Sequence, residues 1–210
     1  MVALILTFNQ KVPIMMARTM WAPGILWFCG VRLVVSGLEH IKSDESYIFV
    51  SNHLSFLDIP LLFRVIPVNL HFVAKKEVKR MPFVGWYMWA TGMIFIDRQN
   101  REKAVQSLKR AGKLIKKGKN VIMFPEGTRS KDGRVCEFKK GPFVLASEAD
   151  LSVIPVAISG AEKVVPPFTL KLKPGIVHVD LGIPRKKGDT ISLKEFIDET
   201  RSDMISLKHD

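Results

Sequence analysis

A histidine and an aspartate five residues apart, His53 and Asp58, are the residues whose types and spacing best suit acid–base chemistry. They follow a short apolar run, 47–51, that reads as a buried strand, and they precede Pro60, which suits the first turn of a helix. On a regular helix, five residues would place the two side chains about 140° apart, so they can meet only if the chain between them is irregular. An aspartate bound to one imidazole nitrogen would fix the tautomer and leave the other nitrogen as a base.

The same residues also fit a purely structural interpretation. Asn52 and Asp58 could cap the following helix, with His53 as a surface residue. These seven residues alone leave both interpretations open.

Cationic residues follow three further predicted strands. Lys75 and Arg98 each come at a strand exit, and Arg129 lies in the glycine-containing turn 124–130. Such a turn can point backbone N–H groups at an anion, and an arginine can bind a phosphate through two parallel hydrogen bonds. Each cation alone is typical of a solvated strand end. Together with His53 and Asp58, at one edge of one sheet, they favour transfer of a group to a hydroxyl on a phosphate-bearing molecule.

Strand and helix patterns alternate along most of the chain. The clearest helix begins after Asn100 and ends at Gly118, with Ala104, Leu108, Ala111 and Ile115 on one face. A final helix is predicted over 192–207. Short strands are predicted over 32–36, 47–51, 71–74, 93–96, 121–124, 153–158 and 176–181. The pattern predicts a single α/β domain with a mixed β-sheet flanked by helices, plus an N-terminal hydrophobic helical extension.

Composition limits the classes of partner. The chain has 210 residues with 32 Lys+Arg against 20 Asp+Glu, a net charge of +12, so an anionic partner is expected. Nucleic acid, an anionic membrane and a phosphorylated substrate all satisfy that expectation. The two cysteines, Cys29 and Cys136, form no CxxC pair, which argues against a disulfide framework or a zinc site and favours a reducing compartment.

The N-terminal 35 residues are apolar and carry only three charges, on Lys11, Arg18 and Arg32. Their uncharged stretch is too short for a spanning helix, which needs roughly 20 apolar residues, and no basic region marks a signal peptide. Trp21 and Trp27 instead favour helices lying in the membrane interface. The alternative is a helical cap folded onto the domain core. We therefore predict a membrane-associating N-terminal helical segment over 1–35 and a single α/β domain over 36–210.

The other two tryptophans, Trp86 and Trp89, also lie close together in the sequence. They could share a membrane-facing surface with the first pair, beside the substrate entrance, or pack in the core. Both interpretations stay open.

Four blocks in order, NHLSFLD (52–58), GMIFIDR (92–98), FPEGTRS (124–130) and VIPVAI (153–158), resemble the signature blocks of the glycerolipid acyltransferases. Among these the chain is most similar to bacterial 1-acylglycerol-3-phosphate (lysophosphatidate) acyltransferases. The segments FVAKKE, REKAVQSLKRA and FKKGPF are similar too, so the resemblance covers roughly residues 31–184. The combination is specific, whereas a histidine and an aspartate at this spacing alone would not be.

The resemblance implies that 36–210 is an acyltransferase domain that performs a direct acyl transfer and gives phosphatidic acid. His53 would take the proton from the free hydroxyl of a lysophospholipid, and Asp58 would orient and stabilise the imidazolium. The alkoxide would attack the thioester of acyl-CoA or acyl carrier protein, which are co-substrates. No metal or other cofactor is implied.

The resemblance also assigns the acceptor site. Glu126, Gly127, Thr128 and Arg129 would belong to the acceptor-binding block. Arg98 and Lys75 would join Arg129 around the phosphate. Pro155, in the fourth block, would be structural or line the acyl chain.

Other functions remain to be weighed. A serine hydrolase would use Ser55 beside His53, but the chain has no G-x-S-x-G motif. A basic membrane-binding or nucleic-acid-binding module without activity would explain the charge, but no nucleotide or RNA signature is present, and no specific nucleic acid is expected. A different acceptor, such as a lyso-ornithine lipid or glycerol 3-phosphate, is also compatible. The expected location is the cytoplasmic face of the inner (plasma) membrane, bound as a monotopic or peripheral protein to anionic lipid.

Overall fold

A computed structural model describes residues 11–97, 102, 106–107, 111–113, 115, 118–130, 132–167, 169 and 171–209. Within these residues every predicted strand is present and agrees with its prediction to within one residue at each end. The strands are β1 (Val31–Ser36), β2 (Tyr47–Ser51), β3 (Leu70–Lys75), β4 (Ile94–Ile96), β5 (Asn120–Met123), β6 (Ser152–Ser159) and β7 (Gly175–Leu181).

The strands form one mixed sheet in the order β1-β7-β6-β2-β5-β3-β4. Strands β6, β2, β5, β3 and β4 run parallel, whereas β7 pairs antiparallel with β6, and β1 runs parallel to β7. The α/β fold with a mixed sheet is therefore confirmed. The carboxyl ends of β2, β3, β4 and β5 share one edge of the sheet, which is where sites form in such folds.

Helices cover both faces of this sheet. They are α1 (Lys11–Met16), which continues through a π-helical turn (Ala17–Trp21) into α2 (Ala22–Phe28), then α3 (Asp58–Val65), α4 (Val84–Ala90), α5 (Gly141–Ala149), α6 (Ala161–Val164) and α7 (Leu193–Ser206). Short 3-10 turns lie at Leu38–His40 and Lys76–Arg80. On one face the core contains residues of α2 and α3, and on the other it contains residues of α5 and α7.

The two predicted helix boundaries have clear physical signals. The final helix, α7, starts with a capping box in which Ser192 and Glu195 each bind the other's backbone N–H. The last described helical residue between β4 and β5 is Ile115, whose carbonyl accepts the N–H of Gly118, and Gly118 has φ +77°. Ala111 and Ile115 are buried as predicted, whereas the predicted cap Asn100 and the face residues Ala104 and Leu108 lie outside the described residues.

The N-terminal helices have a buried side and an exposed side. Ile14, Ala17 and Leu26 are buried in the same core as α3, as expected of a helical cap on the domain. Trp27 is 83% exposed on the other side. No helix among the described residues is long and apolar enough to cross a bilayer. The predicted division of the chain at residue 35 falls within β1 and stays a prediction.

The second tryptophan pair also lies on the surface. Trp86 and Trp89 on α4 are 61% and 64% exposed, so the core-packing interpretation of this pair is wrong. Helix α4 contacts α1 through the Tyr87 hydroxyl, which donates to the Pro13 carbonyl at 2.8 Å. The two tryptophan-bearing segments are therefore neighbours.

The turn after β1 depends on Gly37, and its replacement should destabilise the fold. Gly37 has φ +76°, and a Cβ there would lie 2.0 Å from the Leu181 carbonyl oxygen. We expect Gly37→Ala to lower the free energy of unfolding by about 2 kcal/mol or more, measured by urea denaturation. Gly24→Ala is the matched control because no atom lies within 4 Å of its Cβ position in α2. It should be neutral or stabilising by up to ~1 kcal/mol, and equal effects of the two substitutions would contradict this account.

Candidate active site

His53 and Asp58 meet, because the chain between β2 and α3 is not helical. Residues 52–57 form an irregular loop, and α3 begins only at Asp58. The His53 Nδ1 lies 2.6 Å from the Asp58 Oδ2. Asp58 is fully buried, whereas the His53 side chain is 22% exposed. The structure thus places a buried carboxylate in contact with an accessible imidazole.

The Asp58 carboxylate is held by the loop that it supports. Its Oδ2 also accepts hydrogen bonds from the backbone N–H groups of Leu54 and Ser55, at 2.7 and 2.9 Å. The N-cap of α3 is Leu57, which has no side-chain cap, so the capping interpretation of Asp58 is wrong. An ionised carboxylate only accepts hydrogen bonds, so the proton lies on Nδ1. Among the described residues nothing hydrogen-bonds to Nε2, so this nitrogen is available to accept a proton.

The segment 124–130 holds His53 from the neighbouring strand. Since β2 and β5 are parallel neighbours, both segments leave the sheet at the same edge. The Phe124 ring stacks on the imidazole at 4.1 Å with an interplanar angle of 17°. The Ser130 N–H donates to the His53 carbonyl at 2.8 Å. The histidine is therefore fixed on its backbone and on its ring face.

Glu126 also holds His53 in place. Its carboxylate is buried and accepts the backbone N–H of His53 on one oxygen and that of Cys136 on the other, both at 3.1 Å. Burial raises the pKa of Glu126, and the hydrogen bonds oppose that rise. Both carboxylate oxygens thus bind the chain's own backbone. This geometry gives Glu126 a positioning contribution, and the acceptor contact implied by the resemblance stays a prediction.

Arg129 is joined to the histidine loop through an aromatic ring. Its guanidinium carbon lies 4.0 Å from the centroid of Phe56, a half-exposed residue of the loop between His53 and Asp58. Such a contact holds an arginine while leaving its in-plane N–H groups directed away from the ring. In the same turn Gly127 has φ +77° and Thr128 is exposed.

The remaining predicted cations are placed differently. Lys75 is exposed at the end of β3, a neighbour of β5, and so lies at the same edge of the sheet. Arg98 lies outside the described residues. Asp97, just before it, forms an ion pair with Lys76 at 2.8 Å.

Ser55 is too buried to be the nucleophile of a serine hydrolase. It is fully buried, and its hydroxyl donates to the Val165 carbonyl at 2.7 Å while accepting the Leu57 N–H. The hydroxyl is therefore used to hold the loop.

Asn52 is a positioning residue that the sequence analysis treated only as a possible cap. Its buried amide binds both the carbonyl and the N–H of Ile158 in β6, each at 2.8 Å. A fully buried asparagine must satisfy its polar atoms, and here it does so by tying the start of the loop to the next strand. The only sequence signal was its place directly after a buried strand.

Comparisons with known proteins show the family of this chain. A family model described as Acyltransferase matches residues 32–159. The 1-acyl-sn-glycerol-3-phosphate acyltransferase of Saccharomyces cerevisiae is 34% identical over 181 residues, which cover 84% of this chain and 59% of that protein. The chloroplastic 1-acyl-sn-glycerol-3-phosphate acyltransferase LPAT1 of Arabidopsis thaliana is 40% identical over 136 residues, 64% of this chain and 38% of that protein. The chain thus spans less than two thirds of the length of these curated relatives.

A solved structure resembles almost the whole chain. The crystal structure of the 1-acyl-sn-glycerophosphate (LPA) acyltransferase PlsC from Thermotoga maritima superimposes with a TM-score of 0.74 at 26% identity. The match covers 98% of this chain and 92% of that one. With a family model that spans more than half of its length and these relatives in agreement, the chain belongs to the Acyltransferase family.

Proposed function

We propose that this protein transfers a fatty acyl group from an acyl thioester to the free hydroxyl of 1-acylglycerol 3-phosphate. The observation that carries the proposal is the buried Asp58 carboxylate on His53 Nδ1, beside a segment that bears Arg129. The names of the relatives, which specify 1-acyl-sn-glycerol-3-phosphate as acceptor, support the choice of substrate.

The proposed reaction is a single acyl transfer without an acyl-enzyme. Nε2 of His53 takes the proton from the acceptor hydroxyl as its oxygen attacks the thioester carbonyl carbon. The resulting imidazolium is stabilised by Asp58, 2.6 Å away. The tetrahedral intermediate collapses with cleavage of the C–S bond, and the leaving thiolate takes the proton back from His53. The products are phosphatidic acid and a free thiol.

The acceptor phosphate is assigned to Arg129, with Lys75 and Arg98 beside it. The Phe56 ring contacts Arg129 at the guanidinium face, and an anion would bind at its edge, so the two contacts are compatible. Backbone N–H groups around Gly127 and Thr128 are a further source of donors in such a turn. The donor is acyl-CoA or acyl carrier protein, and no metal or cofactor takes part.

We also propose that the protein binds the cytoplasmic face of the inner (plasma) membrane as a monotopic or peripheral protein. Exposed aromatic residues on the joined N-terminal helices and α4 support this, with Trp27, Phe28, Phe83, Trp86 and Trp89 each 61–83% exposed. The net charge of +12 would add attraction to anionic lipid. A surface of this kind would place the active site beside its lipid substrate.

An acceptor panel tests the proposed function. Purified protein is incubated with acyl-CoA or acyl-carrier protein and, separately, with 1-acylglycerol 3-phosphate, glycerol 3-phosphate and a lyso-ornithine lipid. We expect phosphatidic acid as the main product by mass spectrometry. A main product from another acceptor would replace the substrate assignment, and the absence of any acylated product would refute the proposal.

Substitutions of His53 and Asp58 should affect turnover more than substrate binding. His53→Ala removes the base and should lower kcat by roughly 10²–10⁴-fold. Asp58→Asn should have a similar effect because it no longer holds the productive tautomer. His40→Ala, a histidine outside this loop, is the control and should leave kcat unchanged. Near-normal turnover of folded His53→Ala would contradict the proposed chemistry.

Arg129→Ala should weaken acceptor binding. Loss of a charge-assisted hydrogen bond costs on the order of 1.5–3 kcal/mol, so the KM for the acceptor should rise roughly 10–150-fold while that for the donor barely moves. Arg134→Ala is the matched control, because its side chain is 88% exposed in the following segment. A rise in the KM for the donor alone would show that the phosphate assignment is wrong.

Membrane binding should depend on the exposed tryptophans. Burying one large aromatic side chain contributes about 1.5–3 kcal/mol, so the triple variant Trp27→Ser, Trp86→Ser, Trp89→Ser should lower affinity for anionic vesicles at least ~100-fold. Ile183→Ser, at a residue 70% exposed just after β7, is the control. Equal sedimentation of the triple variant and the parent protein with vesicles would exclude this surface.

A further inference from the structure

Two histidines and an aspartate meet on the sheet away from the His53 loop. Val177 and Val179 of β7 pack into the core that contains α3, so the alternate residues His178 and Asp180 face the other side of the sheet. His209, beyond α7, returns to this side, where its N–H donates to the Ser159 hydroxyl at 3.0 Å. Ser159 is also the partner of His178 in the β6–β7 register.

The potential ligand atoms of the three side chains are close enough for a metal ion. They all lie within 4.8 Å of one another, and the Asp180 Oδ2 is 3.2 Å from the His209 Nε2. In a tetrahedral zinc site with ligand bonds near 2.0–2.1 Å, neighbouring ligand atoms are about 3.3 Å apart. The Asp180–His209 pair already has that spacing. The widest separation, at most 4.8 Å, must close by up to roughly 1.5 Å to reach it. The His178 and His209 rings stack at 4.1 Å with an interplanar angle of 23°, so metal binding requires the half-exposed His209 ring to rotate out of this stack.

The Asp180 carboxylate is an independent indication of a ligand. Asp180 is only 5% exposed, and its Oδ1 accepts a hydrogen bond from the Ser36 hydroxyl. Its Oδ2 is buried and has no hydrogen bond among the described residues; the nearby Nε2 of His209 forms an ion pair only when that ring is protonated. A buried carboxylate oxygen is costly unless it is paired or coordinates a cation. The Ser36 contact orients the carboxylate as an outer hydrogen bond does in metal sites.

We propose that His178, Asp180 and His209 bind one Zn²⁺ ion, or another late first-row divalent ion, with solvent in the fourth position. Two imidazoles and one carboxylate are a ligand set that such ions favour. The two cysteines gave no sign of zinc, whereas these ligands come from two segments, with His178 and Asp180 in β7 and His209 after α7.

Zinc here would fasten the C-terminal segment to the sheet. The adjacent residue, Lys208, donates to the Gly133 carbonyl, in the stretch that follows the Arg129 turn. A metal bound by His209 would therefore also restrain the segment around Gly133, which follows the turn assigned to the phosphate. The site itself is independent of the proposed acyl transfer.

Zinc titration of the full chain tests the proposal. Protein stripped with a chelator is titrated with ZnCl₂ against a chromophoric indicator, and we expect one ion per chain. His209→Ala and His178→Ala should each weaken binding by about 100-fold or more, and Ser36→Ala by about tenfold. His40→Ala is the matched control and should bind as the parent protein does. Zinc should raise the Tm of the parent and of His40→Ala but not that of His209→Ala.

The proposal fails if binding is substoichiometric, or if both histidine variants bind zinc as the parent does. Should His178→Ala not fold, His209→Ala decides the matter, since His209 is half-exposed and lies beyond the last helix. These readouts do not involve acyl transfer, so the zinc site and the proposed function can fail separately.

Discussion

The contact on which the active site depends is the one between His53 and the buried Asp58 carboxylate. A buried charge is costly unless it is hydrogen-bonded, and here one oxygen, Asp58 Oδ2, accepts from the imidazole and from two successive backbone N–H groups, whereas Oδ1 has no hydrogen bond among the described residues. The loop must therefore wrap around the carboxylate, which explains the spacing of five residues. A regular helix from His53 to Asp58 could not satisfy this requirement, since it would place the two side chains about 140° apart around the helix axis.

The sheet supplies the rigidity that this contact requires. Asn52 ties the start of the loop to Ile158 in β6, and Glu126 and Ser130 bind the His53 backbone from the β5 side. Parallel strands on both sides of β2 therefore hold the loop from two directions. His53 lies on an irregular segment, yet both its ring and its backbone are held, by Phe124 on the ring face and by Glu126 and Ser130 on the backbone.

The strands of this fold could be predicted well, and their long-range contacts could not. The strands are short apolar runs bounded by turn residues, so a local pattern placed each to within one residue. The sequence predicted that His53 and Asp58 can meet only if the chain between them is irregular, because a regular helix would place the two side chains too far apart. The bridge by Glu126 between residues 53 and 136, the Phe56–Arg129 contact and the cluster around Asp180 join residues far apart in sequence. No local pattern encodes them. The exposure of Trp86 and Trp89 likewise depends on which side of α4 faces the core.

The tautomer of His53 is the most direct test of the account. Two-dimensional ¹⁵N–¹H NMR of the imidazole side chains distinguishes a protonated from an unprotonated ring nitrogen. The chain has five histidines, so the His53 signals can be assigned by their loss in His53→Gln. We predict a proton on Nδ1, in a hydrogen bond to Asp58, and an unprotonated Nε2. A neutral ring with its proton on Nε2 would contradict it, because that nitrogen could then not accept the proton of the acceptor hydroxyl.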